Sequence, residues 1–390
     1  MPTSTPITGR EPRISSRYGV KRGWQRLSPR RLGTLLNVLS PQAVSLDAAA
    51  AMLHNDDFYV RYNAARLLGE RGDRDARLIM QAALETGNGP TRASVARQMH
   101  RFSWYAAAPA IRQALNDGDE RVREGAVYAL CDLRELAAYQ LLTDLMPDET
   151  DTLRAAAAWG LRNCQDSAAV PVLAAVLQSR DPDVRIKALE SLSGSRTEEA
   201  IPIVTNALHA DSDREVIYYA TLALLELRGV DCLFDLAEWL QTTSGARLEP
   251  MLRGLFHATN YLNARPDEHP AAESLLAALD HALHDATAET RRAAVWLLAW
   301  MRLDRAGEIL AQAFRQETDR GVQLHILRVA TSLMSESAPQ LLELATQSAD
   351  EMVAAVAIRL AAAQEDGTFA TYDEDDAPAR PLGESELIAH

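Results

Sequence analysis

The chain has 390 residues, 47% apolar and 24% charged, enough for a folded core, and no run reaches the roughly 18 or more apolar residues of a membrane span. Its formal net charge of -14 argues against a body that attracts nucleic acid in bulk. Three cysteines without C-x-x-C spacing (Cys131, Cys164, Cys232) and an N-terminus without an apolar h-region point to reduced thiols and a cytoplasmic protein.

Residues 1–27 are rich in Pro, Ser, Thr, Gly and Arg and read as a disordered basic arm. Basic residues run on from Arg10 to Arg31, so residues 10–31 carry eight basic groups against the single acid Glu11. With Tyr18 and Trp24 among them, the arm is a candidate contact for nucleic acid, an anionic membrane surface or an acidic protein. Ser28-Pro29 supplies a cap and a first-turn proline for a helix to about Leu39, with Leu32, Leu35, Leu36 and Leu39 on one face. That helix is placed to shield the open end of a repeat array.

From about residue 41 to 363 the chain repeats. Arg61, Arg92, Arg123, Arg154 and Arg185 follow one another at intervals of 31 residues. Ala64, Val95, Ala126, Ala157 and Ala188 keep the same register, as do Leu68, Met99, Leu130, Leu161 and Leu192. A fixed period of this size means one supersecondary unit copied in tandem. Polar turns between the apolar rows make each unit a helix hairpin, and about ten fit. Asp57, Asp119, Asp151, Asp181 and Asp213 stand where the second helix of a pair needs its N-cap. The register slips by one residue in the sixth pair and breaks near 261–270, where Pro266 and Pro270 interrupt the pattern. It recovers at Arg291, Ala294 and Leu298. The break is expected to divide the solenoid surface into 41–260 and 271–363. Residues 364–390, with Asp373-Glu374-Asp375-Asp376, read as a disordered acidic tail.

The core D-x-x-V-R-x-x-A-x-x-x-L stands here as Asp119 to Leu130, with Val122, Arg123 and Ala126, and again as Asp181 to Leu192. It resembles the HEAT repeat, and more closely its short bacterial form, the bilin-lyase HEAT-like repeat. The resemblance implies an all-α, right-handed α-solenoid, an armadillo-like superhelix, over residues 28–363. It also implies that the in-register arginines Arg61, Arg92, Arg123, Arg154 and Arg185 form a structural ladder between turns, and that the second helices line a concave surface.

The apolar positions of the second helix lie at offsets -1, 3, 6 and 7 from the arginine, which puts offsets 1, 5 and 8 on the opposite side. Those offsets carry Tyr62, Arg66, Arg97, Tyr128, Trp159, Arg162, Tyr218, Arg292 and Trp296. Tyr, Trp and Arg are the types enriched at binding hot spots. These nine are the candidate partner-binding residues.

Catalytic signals are few. None of the nine histidines precedes a glutamate, so the di-iron ligand pairs of the HEAT-like deoxyhypusine hydroxylases are missing. No phosphate-loop, dinucleotide, H-E-x-x-H or G-x-S-x-G motif is present. His281, His284 and Asp285 share helical spacing, but a metal would need a further His or acid from elsewhere, such as His257 or His269, and paired helix histidines read more simply as surface residues. No cofactor or metal is expected. The expected function is a non-catalytic scaffold or adaptor holding a protein partner on the concave face. The alternatives are a lyase-like or maturation-factor subunit acting on a protein-bound cofactor, and a regulatory subunit recruited through the basic arm.

Overall fold

The computed structural model describes residues 28–162, 164–261, 269–301, 304–333 and 338–365. The basic arm, most of the 261–270 break and the acidic tail lie outside these residues. Among the described residues there are 21 α-helices and no strand.

The chain forms two compact units, Met1–Ala138 and Tyr139–His390. The first holds α1 (Pro29–Val38), then α2 (Leu46–Met52) with α3 (Phe58–Arg71), α4 (Arg74–Thr86) with α5 (Gly89–Arg97), and α6 (Trp104–Leu115) with α7 (Glu120–Leu133). Helix α8 (Leu136–Leu145) crosses the boundary. The second unit continues with α9 (Asp151–Gly160), α10 (Val170–Val176), α11 (Pro182–Ser195), α12 (Ala200–Ala210) and α13 (Arg214–Arg228). Then come α14 (Leu233–Thr242), α15 (Leu248–Tyr261), α16 (Ala272–Ala282) and α17 (Ala288–Met301). The last four are α18 (Asp304–Gln316), α19 (Arg320–Leu333), α20 (Ala338–Thr346) and α21 (Glu351–Glu365).

Each unit is a run of hairpins whose second helices lie side by side. In the first, α1, α3, α5 and α7 contact one another in turn; in the second, α9, α11, α13, α15, α17, α19 and α21 do the same. This is the α-solenoid arrangement, in which each repeat buries its apolar face against its neighbours. The periodic apolar residues are the seam: Val60, Ala64, Leu67 and Leu68 of α3, and Val122, Ala126 and Leu130 of α7, are all buried. Helix α1 packs on α3 as a second helix would, through Gly33 and Leu36 rather than through a full row of leucines. A Cβ on Gly33 would come within 2.8 Å of the Tyr59 Cβ, so the close approach needs glycine.

The caps obey the same register. Asp57, Asn88, Asp119, Asp181 and Asp213 accept backbone N–H groups of their helices with side-chain oxygens, as N-caps do. In the fourth pair the cap is Thr150, not Asp151. The reason is positional: Asp57, Asn88, Asp119 and Asp181 each stand four residues before the ladder arginine, and Thr150 stands four before Arg154. Asp151 is the first helical residue instead, where its carboxylate meets the Arg154 guanidinium at 3.2 Å.

At the other end of these helices the chain turns through the left-handed region. Gly72 does so after α3 with φ 65°. Arg134 after α7 and Arg196 after α11, each with φ 52°, hold the corresponding place without glycine's freedom. An L side chain costs about 1–2 kcal/mol there. Arg134→Gly and Arg196→Gly are therefore each expected to raise stability by about 0.5–1 kcal/mol, read as a higher denaturant midpoint with an unchanged slope. An unchanged or lower midpoint refutes the strain.

Candidate functional site

In the first unit the second helices frame an open groove of about 1000 Å³ that runs over α1, α3, α5 and α7. Its floor is made of small residues. Helix α5 is only nine residues long and offers Pro90, Ala93 and Ser94. Gly125 of α7 lies so close that a Cβ on it would stand 2.8 Å from the Ala93 carbonyl oxygen. The small floor leaves the larger side chains of α3 and α7 standing as walls.

Those walls are aromatic and cationic. Phe58 and Tyr59 open α3 and are 54% and 61% exposed. Phe58 packs on both Tyr59 and Tyr62, with ring centroids 5.4 and 5.8 Å apart. Across the floor, the Arg97 guanidinium carbon lies 3.7 Å above the centre of the Tyr128 ring. Burial, and then the Glu124 carboxylate, push the Tyr128 hydroxyl above its ordinary value, so it stays protonated at neutral pH. Arg30 from α1 and Arg121 from α7 complete the lining.

The nine sequence-derived residues do not form one site. Tyr62, Arg97 and Tyr128 line this groove. Arg66 does not: its guanidinium donates to the Leu36 and Asn37 carbonyls at 2.7 and 3.3 Å, closing the end of α1, and pairs with Glu70 at 2.7 Å. Trp159, 56% exposed, and Arg162, 5.2 Å from its ring, belong to the second unit. Arg292 is half-buried on α17.

Tyr218 and Trp296 are corrections. Both are buried and line no exposed face. The Tyr218 hydroxyl meets His257 Nδ1 at 2.7 Å, and Arg253 lies over its ring at 4.4 Å. Trp296 of α17 is flanked by Phe256 of α15 at 5.9 Å and His325 of α19 at 5.5 Å, ring centre to ring centre. A second helix has neighbours on both sides, so a residue turned away from the core still meets the next repeat.

Sequence reasoning passes over Phe58, Tyr59 and Arg121, and counts Arg30 in the basic stretch 10–31, not in the groove. Phe58 and Tyr59 lie in the first turn of α3, just ahead of Arg61, and Arg30 falls at the end of the basic stretch 10–31. The signal for the first two is a pair of adjacent aromatics directly after a cap, because successive helical positions point about 100° apart and rarely share one buried stripe.

The ladder arginines are bound into the turns. Each donates to backbone carbonyls that precede its helix: Arg61 to Asn55 at 2.6 Å, Arg92 to Gly87 at 2.8 Å, Arg123 to Asp117 at 2.9 Å. Arg154 reaches Met146 and Pro147 at 3.0 and 2.6 Å, and Arg185 reaches Ser179 at 3.0 Å. Arg92 also grips Asp117 with two bonds of 2.7 and 2.8 Å, and Arg185 grips Asp211 at 2.7 and 3.0 Å. Arg291 does the same to Glu317 at 2.7 and 3.0 Å. These acids precede the next cap by two residues and also accept its N–H: Asp119 N to Asp117, Asp213 N to Asp211, Asp319 N to Glu317. One carboxylate thus ties the arginine of one repeat to the helix start of the next.

The Arg92 guanidinium holds the Asp117 carboxyl below its ordinary value. A depressed carboxyl adds stability above its unfolded pKa of about 3.9 and loses it as pH falls through the lower folded value. Arg92→Ala is expected to cost the first unit about 1 kcal/mol at neutral pH and to flatten its loss of stability below about pH 4. Urea melts across acid pH check this; parallel curves for the two proteins would refute it.

His284 Nδ1 faces the Asp280 carbonyl at 2.8 Å, and Asp285 accepts the Gly245 and Thr287 N–H groups at 2.9 Å each. Among the described residues no three His, Cys, Asp or Glu gather as a metal site. All three cysteines are buried, and burial pushes the Cys232 thiol up to about 12. Among the described residues no helix is long and apolar enough to cross a membrane.

Comparison with known proteins agrees with this architecture. A model described as HEAT repeats matches residues 78–162 and 147–225, and one described as PBS lyase HEAT-like repeat matches 60–86. No curated protein matches the chain in sequence. Among solved structures, Kap121p bound to Pho4p is 14% identical over 87% of this chain and 44% of its own, with a TM-score of 0.55. Kap121p bound to the SUMO protease Ulp1p gives the same identity and coverage and a TM-score of 0.54. This chain therefore spans less than half the length of Kap121p. The CpcE–CpcF complex of phycocyanin lyase from Nostoc is 21% identical over 82% of this chain and 95% of its own, with a TM-score of 0.26.

Proposed function

Given that this chain carries HEAT repeats, one of them of the PBS-lyase type, we propose that it is a non-catalytic scaffold that binds a protein partner. The groove of the first unit is the binding surface. The observation that carries this reading is the exposure of Phe58 and Tyr59 beside Tyr62 and the Arg97–Tyr128 stack, over a floor of small residues. Soluble proteins seldom leave large rings clustered at the surface without a use, and Tyr and Arg are hot-spot types. The groove holds no constellation of nucleophile and base. Its polar groups are arginines, one glutamate, hydroxyls and amides, which serve recognition rather than bond cleavage.

Affinity capture from native extract with the full-length chain, in parallel with Tyr128→Ala, tests the reading. Proteins held by the parent and lost from the variant at equal protein loading support it. An identical set from both refutes the groove as the binding surface.

A further inference from the structure

We propose that the occupant of this groove is an extended acidic peptide carrying aromatic side chains, its carboxylates held by Arg30, Arg97 and Arg121 and its rings by Phe58, Tyr59 and Tyr62. This deepens the scaffold reading and rests on it.

Charge is the first argument. The first unit, Met1–Ala138, holds 20 basic and 14 acidic residues, against 20 and 40 in the rest of the chain. Where repeats are tied together, Arg92, Arg185 and Arg291 are each gripped by a carboxylate. In the groove the balance reverses. Arg30, Arg97 and Arg121 face a single lining carboxylate, Glu124, and none of the three makes an ion pair among the described residues. A local excess of cation selects for an acidic ligand and repels basic ones.

Arginine geometry is the second. The Arg97 guanidinium carbon lies 3.7 Å above the Tyr128 ring, a cation–π contact that fixes where the group sits. A guanidinium carries five N–H donors, more than its contacts with Tyr128 use, and a carboxylate meets such a fork with two parallel bonds. Orientation by the ring removes part of the entropy that a free arginine loses on binding. Aromatic neighbours are the third argument. Phe58, Tyr59 and Tyr62 already pack edge and tilt against one another, leaving exposed ring surface for an aromatic or proline side chain. At about 1000 Å³ the groove sits at the upper end of the roughly 300–1,000 Å³ of small-molecule pockets, and it is open along its length across four helices, which suits a chain segment better than a metabolite.

The same ring-and-arginine chemistry would stack nucleobases. The rings favour the peptide, because Phe58, Tyr59 and Tyr62 pack edge and tilt against one another instead of standing apart as stacking platforms, and Glu124 in the wall opposes a run of phosphates.

The test is selection of short random peptides displayed on phage against the full-length protein, followed by binding of synthetic copies to the parent, Tyr59→Ala and the Arg97→Gln/Arg121→Gln double variant. Far-UV circular dichroism and melting curves establish that each variant is folded. The expected result is enrichment of peptides with Asp or Glu next to Phe, Tyr, Trp or Pro. Their affinity should fall by about tenfold or more in the double-arginine variant and again on raising salt. Enriched peptides that lack acids, yet lose binding in Tyr59→Ala, overturn the acidic occupant and leave the groove reading standing. Peptides that ignore Tyr59→Ala, or no enrichment at all, overturn both. Tight, salt-sensitive binding of a short single-stranded oligonucleotide in place of peptides also overturns both.

Discussion

Replacing Trp296 by alanine is expected to destabilise the second unit by about 3–5 kcal/mol, the range for deleting a buried large aromatic ring. Only 3% of the residue is exposed. Its ring fills the space between Phe256 of α15 and His325 of α19, so its loss opens a cavity at two inter-helix seams at once. Neither seam closes easily, because each second helix is held by helices on both sides. Trp296→Phe keeps most of the volume and should cost markedly less. Urea titration followed by circular dichroism measures both. A loss below about 1 kcal/mol for Trp296→Ala would show that the ring packs loosely and contributes little.

Trp296 also shows what could be read from the sequence. The 31-residue interval of the arginines located the helix pairs, and the apolar offsets picked out the buried seam, as Val60, Ala64, Leu67 and Leu68 illustrate. Local chemistry was legible too: caps fall four residues before the arginine, a rule that would have moved the fourth cap from Asp151 to Thr150. The acids that receive the arginines were legible but passed over. Asp117, Asp211 and Glu317 lie 25 or 26 residues after Arg92, Arg185 and Arg291, in the turn of the next repeat.

The groove was harder, for a reason of geometry. A helical wheel drawn from one buried stripe assigns the other side to solvent. In a stack of second helices only a narrow arc of that other side escapes the neighbours. In the first unit the helix between α3 and α7 is α5, with Pro90, Ala93 and Ser94, so Tyr62 of α3 and Tyr128 of α7 reach the groove. In α13 to α19 the neighbours carry His257, Phe256 and His325, and the same wheel positions, Tyr218 and Trp296, are enclosed. The size of residues one repeat away decides exposure, and a single-helix wheel does not contain it.

The double variant Phe58→Ala/Tyr59→Ala is expected to weaken binding of a groove-dependent partner by about 2–4 kcal/mol, some thirty- to a thousand-fold, while shifting the melting temperature little. Both rings are more than half exposed, so removing them forfeits modest burial within the free protein. In the complex they would lose a fully desolvated contact. The Gly33 seam bears on the stability half of the expectation, because it is the Tyr59 Cβ, retained in alanine, that faces the glycine. The packing of α1 on α3 therefore survives the substitution. Calorimetric titration and thermal melting of the same samples separate the two effects. Unchanged affinity with unchanged melting would mean that the rings are idle surface. A large fall in melting temperature would mean that they hold α1 in place, and that the groove wall is architecture rather than a binding face.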